Sequence, residues 1–137
     1  MVLLIDRREN ELLIHKLLIK MGDVNNDPKG QAQVLHLTSG DYILGDWGIE
    51  AKEINDLYRS ILGIGRNGRT IVHQLHELCE QFDKPFLVVY NTELKPYFHG
   101  RRPSAKQISD ERKKMMAIIK SFKMTMHHRF PKLRFLQ

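Results

Sequence analysis

Short apolar runs alternate with amphipathic stretches along the chain, and this alternation most constrains its fold. The runs "VLLID" at 2–6 and "PFLVVY" at 85–90 are bounded by charged or turn-forming residues, as buried strands commonly are. The stretches "ENELLIHKLLIKMG" at 9–22 and "TIVHQLHELCEQF" at 70–82 carry aliphatic residues at helical spacing, and Gly22 is a stop signal for the first of these helices. This alternation predicts an α/β fold with a central mixed β-sheet flanked by helices.

The other predicted elements continue the same pattern. The run "AQVLHL" at 32–37 predicts a strand, and "DYILGDWGIEAKEI" at 41–54 predicts a hairpin around a Gly/Asp turn. A helix is expected over 54–62. Ser104 would cap a further helix that runs to about Phe122, and the basic C-terminal segment is expected to hold a short last strand.

Length and composition limit the class of protein. A chain of 137 residues is expected to form one domain, residues 1–137, with a substantial core. No run reaches the roughly 18 apolar residues of a membrane span, and only five apolar residues, Met1 included, precede the first aspartate, so we expect neither a membrane segment nor a signal peptide. The single cysteine, Cys79, excludes an internal disulfide and fits an intracellular, reducing compartment.

The charge of the chain favours a polyanionic partner. The formal net charge is +6 and the sequence pI is about 9.5. Basic residues are concentrated between Arg101 and Arg134. A positive surface of this kind is the electrostatic footprint of many nucleic-acid-binding proteins, although the same charges also serve to solvate a protein surface.

The predicted hairpin carries the strongest candidate for chemistry. Glu50 and Lys52 are two residues apart on a strand, so they share one face while Ala51 points to the other. Asp41 begins the preceding arm, and pairing of the arms would bring its carboxylate to the same edge. Two carboxylates, with the carbonyl of Ala51, suit Mg²⁺, and Lys52 would orient or deprotonate a water, or neutralise charge on a phosphate. The alternative is an ordinary charged hairpin face.

Three further carboxylates lie near this edge in the predicted topology. Asp6 ends the first strand, and Glu9 follows one helical turn later, so either side chain would be able to reach the hairpin edge. Asp56 opens the helix after the hairpin, where its ordinary role is a favourable interaction with the helix N-terminus. Asp46 and Glu53 are assigned to the turn and to the solvent face.

Several spaced motifs resemble the nuclease domain of the XPF/Hef group of structure-specific endonucleases, within the PD-(D/E)xK superfamily. The similarity covers residues 2 to 90 in order and is weaker beyond them. The matching elements are Asp6-Arg7-Arg8-Glu9 for D-x-R-E, Gly40-Asp41-Tyr42 for GDY, Glu50-Ala51-Lys52-Glu53-Ile54-Asn55-Asp56 for E-R-K-x-x-x-D, a glycine-arginine element at Gly68-Arg69, and Gln74. The resemblance implies a restriction-endonuclease-like core.

This resemblance also implies a function and a set of site residues. Members of the group cut DNA at flaps, forks or junctions with Mg²⁺ or Mn²⁺, commonly as dimers. The implied metal ligands are Asp41 and Glu50, and the implied catalytic lysine is Lys52. The same resemblance implies that Asp6, Glu9 and Asp56 are supporting acidic residues.

Two features depart from the family pattern. Ala51 stands where the signature has arginine, although its side chain should face away from the metal. The stretch "GIGRNGR" at 63–69 is longer than the pattern, so both Arg66 and Arg69 are eligible for the arginine of the family. The chain is also expected to lack the tandem helix-hairpin-helix domain often attached in this group. DNA binding would then depend on the domain itself, a partner or a dimer.

The leading hypothesis is therefore a metal-dependent endonuclease acting on branched DNA, and two alternatives stay open. One is a catalytically silent module that binds DNA junctions or acts as a scaffold, and the other is a Holliday-junction resolvase. Candidate DNA contacts are Arg66, Arg69, Gln74, Arg101 and Arg102. Tyr97 and Phe98 are further candidates for stacking on DNA, with a solvated loop as the equal alternative.

Overall fold

The computed structural model describes residues 1–64, 70–100 and 102–137. Its strands are β1 (Leu3–Asp6), β2 (Ala32–Leu35), β3 (Tyr42–Leu44), β4 (Trp47–Glu53), β5 (Lys84–Tyr90) and β6 (Arg134–Leu136). Its helices are α1 (Glu11–Met21), α2 (Ile54–Ile61), α3 (Ile71–Gln81) and α4 (Ala105–Arg129). The predicted order of strands and helices is confirmed.

In the described residues the strands form one six-stranded sheet in the order β2-β1-β3-β4-β5-β6. The β3–β4 hairpin pairs Tyr42 with Ile49, and β3 is also antiparallel to β1. The pairs β1–β2, β4–β5 and β5–β6 are parallel. The predicted fold class, a mixed sheet flanked by helices, is therefore confirmed.

The core lies on the face of the sheet that is covered by α2, α3 and α4. Leu87 and Val89 of β5 belong to the buried cluster on this face. Glu50 and Lys52 of β4 pair with these two residues in the sheet register, and paired residues point to the same face. The charged residues of the hairpin consequently point toward the helices rather than away from them.

The other face of the sheet is covered more sparsely. Helix α1 contains no buried residue. An apolar groove lies between α1 and the sheet, and both Ala51 and Val88 line it. The side chain of Ala51 thus lies on the face opposite Glu50, as the strand periodicity predicts.

Helix α4 is longer than the sequence analysis predicted. A capping box at Ser104 and Gln107 begins it as expected, but it continues past Phe122 to Arg129. Buried residues continue the apolar stripe as far as Met126, and Pro131 then prevents further helix. Among the described residues, no helix is long and apolar enough to cross a membrane.

We expect Gly48→Ala to destabilise the fold. A Cβ at this position would stand 2.2 Å from the ring of Phe82, at the end of α3, so the ring or the strand must shift. Overpacking of this kind costs about 1–3 kcal/mol, which urea unfolding would measure as a lower free energy of unfolding. In a double-mutant cycle, Phe82→Leu should relieve part of the loss; fully additive effects would contradict the proposed clash.

Candidate active site

Topology brings the ends of β1, β3 and β4 together at one edge of the sheet. The backbone N–H of Asp6 donates to the carbonyl of Asp41 at 2.8 Å, and the N–H of Asp41 donates to the carbonyl of Ile49 at 2.7 Å. Because β3 is antiparallel to both neighbours, its first residues meet the last residues of β1 and the second half of β4. Asp6 at the end of β1, Asp41 just before β3 and Glu50 on β4 therefore become neighbours.

A polar pocket of about 240 Å³ lies at this edge. Half of its lining residues are acidic, and all of the others except Gly40 carry polar or charged side chains. The lining residues are Asp6, Arg8, Glu9, Thr38, Ser39, Gly40, Asp41, Glu50, Gln74 and Glu77. Such a concentration of carboxylates favours a cation within the pocket.

Asp41 is a strongly perturbed carboxyl of the pocket. Burial, then the charge of Glu50 and the proximity of Glu9, raise the pKa of Asp41 to about 8. The N–H of Ala51 opposes this shift by donating to Asp41 Oδ2 at 2.7 Å. Glu50 is itself only 7% exposed. Two carboxylates held this close in a buried setting repel each other unless a proton or a cation lies between them.

The negative charge of Asp6 is balanced within the protein by Arg8. It is 3% exposed and accepts hydrogen bonds from the Arg8 guanidinium, the shortest at 2.6 Å from Nη2. The same nitrogen donates to the carbonyl of Leu37 at 2.7 Å. Burial alone would raise the pKa of Asp6, but the bonds from Arg8 hold it below the ordinary value. Asp6 therefore fixes Arg8 at the pocket and keeps its own negative charge.

Glu9 borders the pocket from the segment between β1 and α1. Its Oε2 accepts a hydrogen bond from the hydroxyl of Tyr42 at 3.1 Å. Burial, then the charge of Glu9, raises the pKa of that hydroxyl, so Tyr42 remains the donor. Glu9 also lies close enough to Asp41 to contribute to the raised pKa of that residue.

Lys52 reaches toward α3 on the same face as Glu50. Its Nζ lies 3.5 Å from Gln74 Oε1, which is the long end of hydrogen-bond distance. Gln74 in turn lines the pocket. The ammonium group is thus held loosely at the pocket margin by a neutral partner, and it can be drawn to an anion that enters.

A scan against protein-family models matches the ERCC4 domain over residues 5–132. The chain belongs to the ERCC4 domain family. The expected resemblance to XPF-type nuclease domains is thereby confirmed, and this family consists of structure-specific DNA nucleases. No curated protein matches the sequence significantly.

Solved structures of XPF from Aeropyrum pernix have the same fold as this ERCC4 domain. One matches with a TM-score of 0.65 at 18% identity, and covers 99% of this chain and 55% of the XPF chain. A structure of the same XPF in complex with DNA matches with a TM-score of 0.60 at 18% identity, covering 98% and 54% respectively. This chain therefore spans about half the length of the XPF chains it matches.

The predicted site residues are not all at the pocket. Asp56 does not line it; its side chain is 53% exposed and pairs with Arg59 on the surface of α2. Arg102 is exposed on the segment before α4. The candidates Arg66, Arg69 and Arg101 lie outside the described residues.

The prediction that Glu53 belongs to the solvent face was wrong, because its side chain has a structural role. Its carboxylate caps α2, accepting from the N–H of Asn55 at 2.9 Å and of Asp56 at 3.1 Å. The strand passes directly into the helix at this residue, so a cap is needed where the sequence pattern suggested an ordinary surface position.

Two charged residues that line the pocket, Arg8 and Glu77, had no predicted role. For Arg8, the available signal was a basic residue two positions after a strand-ending aspartate. Glu77 follows Gln74 by three residues on α3, so helical spacing placed both on one face. Neither signal is specific without the fold that closes the pocket.

The donor set of the pocket fits a hard divalent cation with an incomplete protein shell. In the described parts of the chain, no three His, Cys, Asp or Glu side chains are arranged to hold a metal ion. Asp41 and Glu50 nevertheless supply two neighbouring carboxylates. Mg²⁺ usually binds through one or two carboxylates plus waters and substrate phosphates, so this pair suffices for Mg²⁺ or Mn²⁺.

Proposed function

We propose that this ERCC4 domain is an endonuclease that uses a divalent metal ion to hydrolyse phosphodiester bonds of branched DNA. The single observation that carries the proposal is the meeting of Asp41 and Glu50 in one pocket at a sheet edge, with Lys52 beside it in contact with Gln74, which lines the pocket. The family supports nuclease chemistry, and the fold is that of XPF, of which one structure is a complex with DNA.

Asp41 and Glu50 would hold Mg²⁺ or Mn²⁺, which supplies Lewis-acid stabilisation of charge on the attacked phosphate. Asp41 presents this carboxylate in a fixed orientation, because the N–H of Ala51 is bonded to Oδ2. Glu50 is held by strand β4, which pairs with β5 at this position. The backbone therefore positions both ligands before substrate binds.

Lys52 would supply the positive charge on the helix side of the pocket. Its weak contact with Gln74 leaves the ammonium group able to donate to the attacking water or to a phosphate oxygen. An ammonium group at this point stabilises negative charge as it develops during attack. Arg8, fixed by Asp6, adds a second cation to the pocket wall.

The substituted signature position is compatible with this chemistry. Ala51 contributes its backbone N–H to Asp41, and any residue except proline supplies the same donor. Its side chain lies in the groove on the other face of the sheet. Loss of the arginine side chain should therefore leave the carboxylate pair in place.

The proposal also includes the oligomeric state of the protein and the surface that contacts the branched DNA. We propose assembly as a homodimer or with a partner protein, as the resemblance to the XPF/Hef group implies. We propose that the positive surface of the domain contacts the arms of the branched DNA.

A cleavage panel tests the proposal. Purified protein would be incubated with single-stranded, duplex, flap, fork and four-way DNA in Mg²⁺. We expect cutting of at least one branched DNA at a rate well above that of the linear DNAs. Equal cutting of duplex and branched DNA would contradict the substrate assignment, and paired symmetric nicks confined to the four-way DNA would favour a resolvase.

A further inference from the structure

The segment between β5 and α4 leaves the sheet beside the proposed active site. Tyr90, the last residue of β5, pairs with Glu53 at the end of β4. Lys52 precedes Glu53 on that strand, so the segment begins at the edge where the pocket lies. The segment has no regular secondary structure between 91 and 98, and its first residue, Asn91, has a φ of 63°.

Despite its irregular backbone, this segment is tied down by both neighbouring helices. The Asn55 side chain of α2 donates to the carbonyl of Glu93 at 3.0 Å and accepts from the N–H of Lys95 at 2.8 Å. Arg112 of α4 donates to the carbonyl of Leu94 at 2.9 Å. Leu94 itself is 2% exposed in the core. Three consecutive residues are thus fixed, which gives the next few a defined position.

The residues that follow these anchors expose an aromatic side chain. Tyr97 is 80% exposed. Its ring meets that of His99 nearly at right angles, with centroids 4.8 Å apart. An edge-to-face contact occupies one face of only one ring, so Tyr97 keeps at least one ring face open. Lys95 and Arg102, which precede and follow this pair in the sequence, are both exposed.

These features match a platform for unpaired nucleic acid. Proteins that bind single strands combine exposed aromatic rings, on which bases stack, with positive charges that follow the backbone. Rigid support matters because a ring that is already positioned loses little entropy on stacking. The contact between Tyr97 and His99 does not help to build the core, because Tyr97 is not part of the buried cluster.

We propose that Tyr97 stacks on an unpaired base of a branched DNA, with Lys95 and Arg102 contacting the adjoining phosphates. The inference rests on the proposed function and deepens it, since it assigns a contact for the single-stranded arm. Tyr97 follows Lys95 by two residues, and Asn55 follows Lys52 by three. At 3.8 Å per residue, plus the Asn55 side chain and the hydrogen bond that joins it to Lys95, the Cα atoms of Tyr97 and Lys52 lie within about 27 Å of each other.

A pair of substitutions at one position tests the stacking contact. Affinity for a forked DNA would be measured by fluorescence anisotropy, with the metal chelated, for wild type, Tyr97→Leu and Tyr97→Phe. A 2-aminopurine in the single-stranded arm would report stacking through its fluorescence. We expect Tyr97→Leu to weaken fork binding about tenfold and to lose the quenching, because the unpaired base then has no ring on which to stack. Tyr97→Phe, which keeps the ring, should behave as wild type.

Two controls separate the contact from general effects. Blunt duplex should bind all three proteins equally, since it offers no unpaired base. Trp47→Leu removes an exposed aromatic residue at the opposite end of β4 and should leave fork binding unchanged. Melting temperatures should agree for wild type and both Tyr97 variants, because the side chain is largely exposed.

The outcomes distinguish this inference from the nuclease proposal. Equal binding of the fork by wild type and Tyr97→Leu would overturn the platform, whether or not the protein cuts DNA. A wild type that prefers duplex to fork would overturn it too. Loss of fork binding only in Tyr97→Leu, in a protein that never cuts DNA with Mg²⁺ or Mn²⁺, would uphold the platform and refute the nuclease.

Discussion

Lys52→Ala is expected to lower the single-turnover rate constant of DNA cleavage by about 10²- to 10⁴-fold, the usual range for loss of one proton-transfer or charge-stabilising group. The effect should fall on the rate constant rather than on affinity. Lys52 lies at the helix side of the pocket with only a 3.5 Å contact to Gln74, so its charge becomes important as the phosphate gains negative charge. Few other contacts depend on it.

The measurement compares rate constants at saturating protein, with binding and melting temperature determined for each variant. Lys84→Ala is the matched control, because Lys84 begins the neighbouring strand β5 and lies over Trp47 at the other end of β4. It should cut DNA at the rate of wild type. Near-normal cleavage by a folded Lys52→Ala protein would remove Lys52 from the proposed chemistry.

Asp41→Asn is expected to abolish metal-dependent cleavage and, at alkaline pH without metal, to stabilise the protein. The loss of activity follows because a neutral amide is a much weaker ligand for Mg²⁺ than a carboxylate. The gain in stability follows because burial and Glu50 raise the pKa of Asp41 to about 8. The ordinary pKa of an aspartate is about 4, so the folded state binds this proton more tightly than the unfolded chain does.

The sign of the pH dependence follows from that difference. As pH rises from about 4 to about 8, the unfolded state loses this proton first, and the free energy of unfolding of the wild type falls. Asparagine does not titrate, so the variant lacks this decline. Above pH 8 we expect Asp41→Asn to be more stable than wild type by on the order of 2 kcal/mol, while near pH 4 this advantage should be absent.

Urea unfolding in EDTA at pH 5 and pH 8.5 measures this difference directly. Asp46→Asn is the matched control, because Asp46 is exposed in the turn of the same hairpin. Its pH dependence should follow that of wild type. If Asp41→Asn were less stable than wild type at pH 8.5, the hydrogen bond from Ala51 would outweigh the repulsion from Glu50, and the crowded carboxylate pair would not be the controlling feature.

The hairpin shows how much of the site the sequence contains. Strand periodicity alone places Glu50 and Lys52 on one face and Ala51 on the other, and the structure has this arrangement. The meeting of Asp41 with Glu50 also follows from antiparallel pairing of two short arms. Local patterns suffice here because a period of two leaves little freedom in a paired strand.

The sequence pattern could not predict contacts between segments that are distant in the chain. Arg8 lines the pocket because β1 pairs with β3 and because the carboxylate of Asp6 accepts hydrogen bonds from the Arg8 guanidinium. Asp56 could not be separated from the true edge residues, since its direction depends on where α2 begins. That start is set by the cap at Glu53, which the pattern assigned to solvent. Helix α4 was underestimated because its apolar stripe continues through methionine and phenylalanine among many charged residues.

We propose that this pocket hydrolyses DNA with the help of a divalent ion. The most direct test of this proposal is single-turnover cleavage of an end-labelled flap DNA by saturating wild-type protein, in Mg²⁺, in Mn²⁺ and in EDTA, with binding measured in the same samples. We expect a discrete product near the branch with either metal ion and none in EDTA. Complete binding of the flap without a product in either metal would contradict it and leave a DNA-binding module.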